Sequence, residues 1–298
     1  MKRRGNFDIF SKYTWYVPGW ADIVILLVWL LIGALLGNLL TAGLQSIVGT
    51  TLAVEYSSII SYPVMFVPAM IYAASKSRRN SLLKGGIKLV SAHFKPVGGA
   101  VCAILVAVAT FCLGLATDAL NSLLPAMPDF LKKLLESMTS GNFFINFLCV
   151  SVMAPFFEEW LCRGMVLRGL LGHDVKPVWA IAASALFFAI IHFNPWQAVP
   201  AFVLGCLFGY VYFKTGSLAL TMLMHCVNNT ISLVVSRIDS LQNCESWVDL
   251  LGGAYWAAFA ASIALVAVII FILNRIPLAS GRGNCDEVGS VFENREQC

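Results

Sequence analysis

Charge is what this 298-residue chain has least of, with Asp, Glu, Lys and Arg making up only 12% of it. Hydrophobic residues make up 59% and mean hydropathy is +0.79, so the solvent this sequence is built for is lipid rather than water. Long polar stretches are missing too. The segments near 76–96, 123–142 and after 274 are each too short for an independent core, so no soluble domain is expected and 1–298 reads as a single membrane domain. Nine cysteines are present, but no two stand at Cys-x-x-Cys spacing, which argues against a redox pair or zinc ribbon. Cys102, Cys112, Cys149, Cys162, Cys206 and Cys226 lie singly in apolar runs and read as small packing residues; Cys244 reads as external, Cys285 and Cys298 as cytoplasmic. With Cys298 as the last residue given, no Cys-a-a-X lipidation box is expected. The first apolar run lacks a small-residue cleavage site and reads as a retained helix. Neither a Gly-x-Ser-x-Gly elbow nor a His-Glu-x-x-His pair occurs.

A spanning helix needs about 20 apolar residues. Runs near 21–45, 55–75, 97–122, 143–171, 177–194, 197–213, 216–236 and 250–274 predict an all-α, polytopic protein of eight transmembrane helices. Asn194-Pro195 predicts a tight reversal between the fifth and sixth. The stretch 128–139 reads as an interfacial amphipathic helix or a solvated loop helix. Seventeen of the 20 Lys and Arg fall on one side of this topology, including Arg163, Arg168, Lys176 and Lys214, and only Lys132, Lys133 and Arg237 on the other. Cytoplasmic loops carry the basic excess, so both termini are expected in the cytoplasm, which requires an even helix count.

Against this apolar background Glu158 and Glu159 stand side by side in the fourth run, with Arg163 four residues on. A charge at the bilayer centre costs roughly 2.5–3.5 kcal/mol on insertion scales, so the pair is a candidate site. Residues four apart share a helix face, which makes Arg163 a clamp on Glu159 and leaves Glu158, about 100° away, free for other work. Of four histidines, His192 and His225 fall within spanning runs. Either alone reads as an interhelical hydrogen-bond partner. Counting along the hairpin that joins helices four and five puts Glu158 and His192 at one level, each about 25 Å from the turn at ~1.5 Å per residue. His225 and Asn229 are four apart and share a face with Thr221. Ser184 and Cys162 are near enough to be considered as nucleophiles, but small residues of this kind in membrane helices usually serve packing.

Taken in order, Glu158-Glu159-Trp160-Leu161-Cys162-Arg163, Phe188-Ala189-Ile190-Ile191-His192 and His225-Cys226-Val227-Asn228-Asn229 match the E-E-x-x-x-R, F-x-x-x-H and H-x-x-x-N motifs. The chain therefore resembles the CPBP group of intramembrane proteases, which includes the type II CAAX prenyl endopeptidases and bacteriocin-processing enzymes. The resemblance covers roughly 143–236, the expected catalytic helices. It implies an eight-helix fold with an intramembrane polar cavity and hydrolysis of a peptide bond near the cytoplasmic side. By the same resemblance Glu158 is the general base for a water shared with His192, His225 and Asn229 stabilise the oxyanion, and Glu159 and Arg163 shape the site. Two histidines and a carboxylate are also a common zinc set, here Glu158, His192 and His225; a glutamate-activated water needs no ion, and the metal-free route is preferred. The rival reading is a proton- or cation-coupled transporter using the same Glu/His cluster, against which no internal repeat is found. The expected partner is a peptide or protein substrate at or in the membrane, lipidated or not. No nucleic-acid partner is expected, and the short loops suggest a bacterial inner membrane.

Overall fold

The computed structural model describes residues 9–82, 86–139, 141–238 and 246–278. Among them are nine helices and no strand: α1 Trp20–Val48, α2 Thr50–Asn80, α3 Gly99–Asn121, α4 Asp129–Thr139, α5 Phe143–Gly172, α6 Pro177–Ile190, α7 Pro195–Thr215, α8 Leu218–Val235 and α9 Trp247–Leu273. All eight expected apolar runs form helices. Seven are long and apolar enough to cross a membrane, while α6, at 14 residues, is shorter than the roughly 20 needed to span one. The reversal after α6 is made by Phe193 in the left-handed region (φ 55°) and by Asn194, whose side chain caps α7 at the Gln197 N–H. The stretch near 128–139 is the helix α4, with Phe130 and Leu134 exposed.

Two small residues set how closely the first helices approach. A Cβ on Gly33 would lie 1.9 Å from the Met65 carbonyl oxygen, and one on Gly37 2.8 Å from that of Ser61. Only glycine permits this α1/α2 contact, which fixes the stretch of α2 carrying Tyr62.

Several basic residues counted as loop charges lie elsewhere. Helix α2 runs on to Asn80, so Lys76, Arg78 and Arg79 stand on its last turns. Arg163 and Arg168 are fully buried, and Lys214 is buried as well. Arg168 donates to the carbonyls of Gly164 (2.6 Å), Ile87 (2.7 Å) and Tyr16, tying the N-terminal segment and the post-α2 loop to the end of α5. A buried guanidinium needs such partners, and here three carbonyls supply them. Lys2, Arg3, Arg4, Lys84, Arg282 and Arg295, with Cys244, Cys285 and Cys298, lie outside the described residues. The six cysteines of the apolar runs are free thiols, four of them buried.

Candidate active site

Helix α5 carries both carboxylates on a short α-helical stretch, Ala154–Glu159, between two π-helical ones, Phe147–Met153 and Trp160–Leu167. Such wide turns shift the register of the following side chains and recur at functional sites. The first also strands a carbonyl. Ala154 N–H donates to Cys149, and Pro155 has no N–H, so neither helical donor reaches the Val150 oxygen. Asn229 of α8 supplies the missing donor, its Nδ2 lying 2.8 Å from that oxygen. The amide oxygen of Asn229 accepts from Asn228 at 3.2 Å, which leaves one N–H of Asn229 for other use.

Glu159 is fully buried and accepts from Arg163 Nη1 at 2.7 Å. The guanidinium also donates to the Gly205 carbonyl at 2.9 Å and lies over the rings of Phe188 and Phe208, 4.8 and 5.3 Å from their centroids. Arg163 is thus the clamp that its spacing predicts, fixed by helices α6 and α7 as well as by its own. Glu159 does more than pair with it. The same Oε1 atom is 3.2 Å from Nδ1 of His225. Since a carboxylate only accepts, Nδ1 carries the proton, and Nε2 of His225 points the other way, 3.8 Å from Oε2 of Glu158. That separation is too long for a hydrogen bond but close enough for an ion pair.

Glu158 differs from its neighbour in reach. Its side chain retains 14% exposure where that of Glu159 has none, so it is the more accessible of the two carboxylates. Oε1 accepts the hydroxyl of Tyr62 from α2. Oε2 is buried and accepts no hydrogen bond, as does Oε2 of Glu159. A buried acceptor of this kind is costly unless a donor reaches it, and a water or substrate proton is the natural one.

His192 stands just past α6, half-buried. Its Nδ1 is 2.8 Å from the Phe188 carbonyl and must carry the proton, so the neutral ring offers Nε2 as an acceptor. It reaches the cluster through an aromatic spacer. The Phe188 ring meets His192 edge-on at 5.0 Å and His225 at 5.2 Å. Thr221 is buried and bonds back to the Leu218 carbonyl. Ser184 Oγ donates to the Cys162 carbonyl at 2.8 Å, joining α6 to α5, and the Cys162 thiol is fully buried; both serve packing.

Phe188 was singled out only as the first residue of the F-x-x-x-H motif; Tyr62, the Phe208 ring and the Gly205 carbonyl were not singled out by sequence. Only Tyr62 left a trace: a hydroxyl in mid-span beside Pro63. As a metal site the cluster fits poorly. Among the described residues no group of three His, Cys, Asp or Glu, Glu158, His192 and His225 included, is placed to hold an ion. The Arg163 cation already occupies Glu159.

Residues 140–231, about a third of the chain, match the family model described as type II CAAX prenyl endopeptidase Rce1-like. The matched segment contains every residue of the cluster except Tyr62. No curated protein and no solved structure matches the chain.

Proposed function

We propose, from the match of residues 140–231 to the type II CAAX prenyl endopeptidase model, that the chain is a member of the CPBP/CAAX protease family and an intramembrane endopeptidase whose base is Glu158. The observation that supports this reading is the asymmetry of the carboxylates: one neutralised and sealed by Arg163, the other partly exposed with a free oxygen facing His225.

A water between Glu158 Oε2 and His192 Nε2 gives its proton to Glu158 as its oxygen attacks the scissile carbonyl carbon. The carbonyl electrons move onto oxygen. His225, protonated at Nε2 and held at Nδ1 by Glu159, donates to that oxyanion together with the second amide N–H of Asn229. When the tetrahedral centre collapses, the C–N bond breaks and Glu158 passes its proton to the leaving amine, which restores the carboxylate. The balance is water plus peptide to acid plus amine. Arg163 balances the charge of Glu159 opposite His225, so two carboxylates share the site without adding a second uncompensated charge.

The substrate is a peptide or protein segment at the membrane, and the family's name makes a prenylated C-terminal peptide the first to try. The whole chain acts as one membrane domain, with 143–236 carrying the chemistry. The basic excess supports cytoplasmic termini provided that α6 completes the eighth crossing, and a bacterial inner membrane suits the short loops. A proton relay is less well supported, because Glu159 is locked to Arg163 and the family is one of peptidases.

The test is cleavage by purified protein in detergent, using farnesylated and unmodified peptide libraries with products mapped by mass. A cut that Glu158→Ala, His192→Ala or Asn229→Ala weakens or removes supports the reading. Failure of the intact protein to cut any peptide, or full activity in Glu158→Ala, refutes it.

A further inference from the structure

We propose that Tyr62 is a positioning residue for this hydrolysis: its hydroxyl holds one oxygen of Glu158 and thereby assigns the role of base to the other. The inference rests on the peptidase reading and adds to it a residue from outside the matched segment 140–231.

A phenol facing a carboxylate can only donate, so the Tyr62–Glu158 bond occupies Oε1. With Oε1 taken, Oε2 is left as the oxygen that faces Nε2 of His225. The donor itself is held firmly. Gly33 and Gly37 seat α1 against the backbone at Met65 and Ser61, on either side of Tyr62. The Tyr62 ring packs on Phe66 at 5.6 Å, and Phe66 stacks on Phe157 at 5.2 Å, the residue next to Glu158. Hydroxyl and carboxylate are therefore held by one aromatic stack, and the carboxylate cannot rotate without breaking a charge-assisted bond.

The decisive variant is Tyr62→Phe, which keeps the ring and its stacking and removes only the donor. The expected result is a fall in kcat of about ten- to a hundred-fold, the range a hydrogen bond to a charged group supplies, with KM within about twofold of the parent. Infrared difference spectra between the parent and Glu158→Gln isolate the Glu158 carboxylate band, and Tyr62→Phe should shift it. This second readout does not require turnover. An active parent, an inactive Glu158→Gln and a Tyr62→Phe variant with unchanged kcat or an unmoved band overturn the role of Tyr62 alone. A parent that cleaves no peptide instead overturns the peptidase reading and the proposal built on it.

Discussion

Asn229 offers a sharp test because its structural task can be handed to another group. Its amide fills the carbonyl of Val150, left without a helical donor because Ala154 bonds one residue further back and residue 155 is proline. Asn229→Ala orphans that oxygen. A buried unsatisfied polar group costs about 1–3 kcal/mol, and interhelical hydrogen bonds in membranes are worth about 0.6 kcal/mol on average and up to about 1.7. The expected loss is thus about 1–2 kcal/mol. Pro155→Ala restores an N–H in the register that Ala154 already uses toward Cys149, where it reaches Val150. In the Pro155→Ala background, then, Asn229→Ala should cost under about 0.5 kcal/mol. Helix propensity gained by removing proline cancels in the double-mutant cycle. Unfolding of the four proteins in detergent, followed by circular dichroism, gives the coupling energy. Strictly additive losses would show that Asn229 does not act through Val150. Peptidase activity separates the second role: the double variant regains stability yet stays slow if the other N–H of Asn229 serves the oxyanion.

The buried ion pair gives a second prediction. Arg163→Leu leaves the buried Glu159 with His225 Nδ1 but no permanent cation and should destabilise by about 3–5 kcal/mol, while Glu159→Leu with Arg163→Leu recovers most of that, as read by thermal unfolding. Arg168→Leu strips the donor from three carbonyls that join the N-terminal segment to α5, so protease cutting near residues 9–19 should accelerate several-fold in limited digestion. At high pH the same region loosens. Burial pushes the Tyr13 hydroxyl up from 10.0 to about 12, so the unfolded chain releases this proton first. The stability it contributes is whole below pH 10 and declines between about 10 and 12. Tyr13→Phe should remove that part of the alkaline decline, measured by unfolding against pH.

Much of this was legible because lipid imposes strong rules on sequence. Apolar runs of about 20 residues can only be helices, and a charge among them needs a reason. The Glu159–Arg163 clamp followed from i, i+4 spacing alone, and the reversal at Asn194 from turn chemistry. What spacing cannot carry is a change of register. The two π-helical stretches of α5 turn side chains off the 3.6-residue grid, and apolar periodicity is blind to which carbonyl they strand. Nor can counting along one hairpin reveal a group from another: Tyr62 reaches Glu158 from α2, 96 residues away. Depth arithmetic put Glu158 and His192 on one level, but Phe188 stands between His192 and His225. Arg168 misled in a different way, since a buried arginine bonded to carbonyls and a loop arginine look alike in a string of letters.

Glu158 is the residue to which the whole reading returns, and Glu158→Gln changes little besides its ability to take a proton. The Glu158→Gln protein should fold with an unfolding temperature near the parent's, retain peptide binding, and turn over at least a hundred-fold more slowly on any peptide the parent cuts. Parent-like turnover in a folded Glu158→Gln protein would contradict the reading.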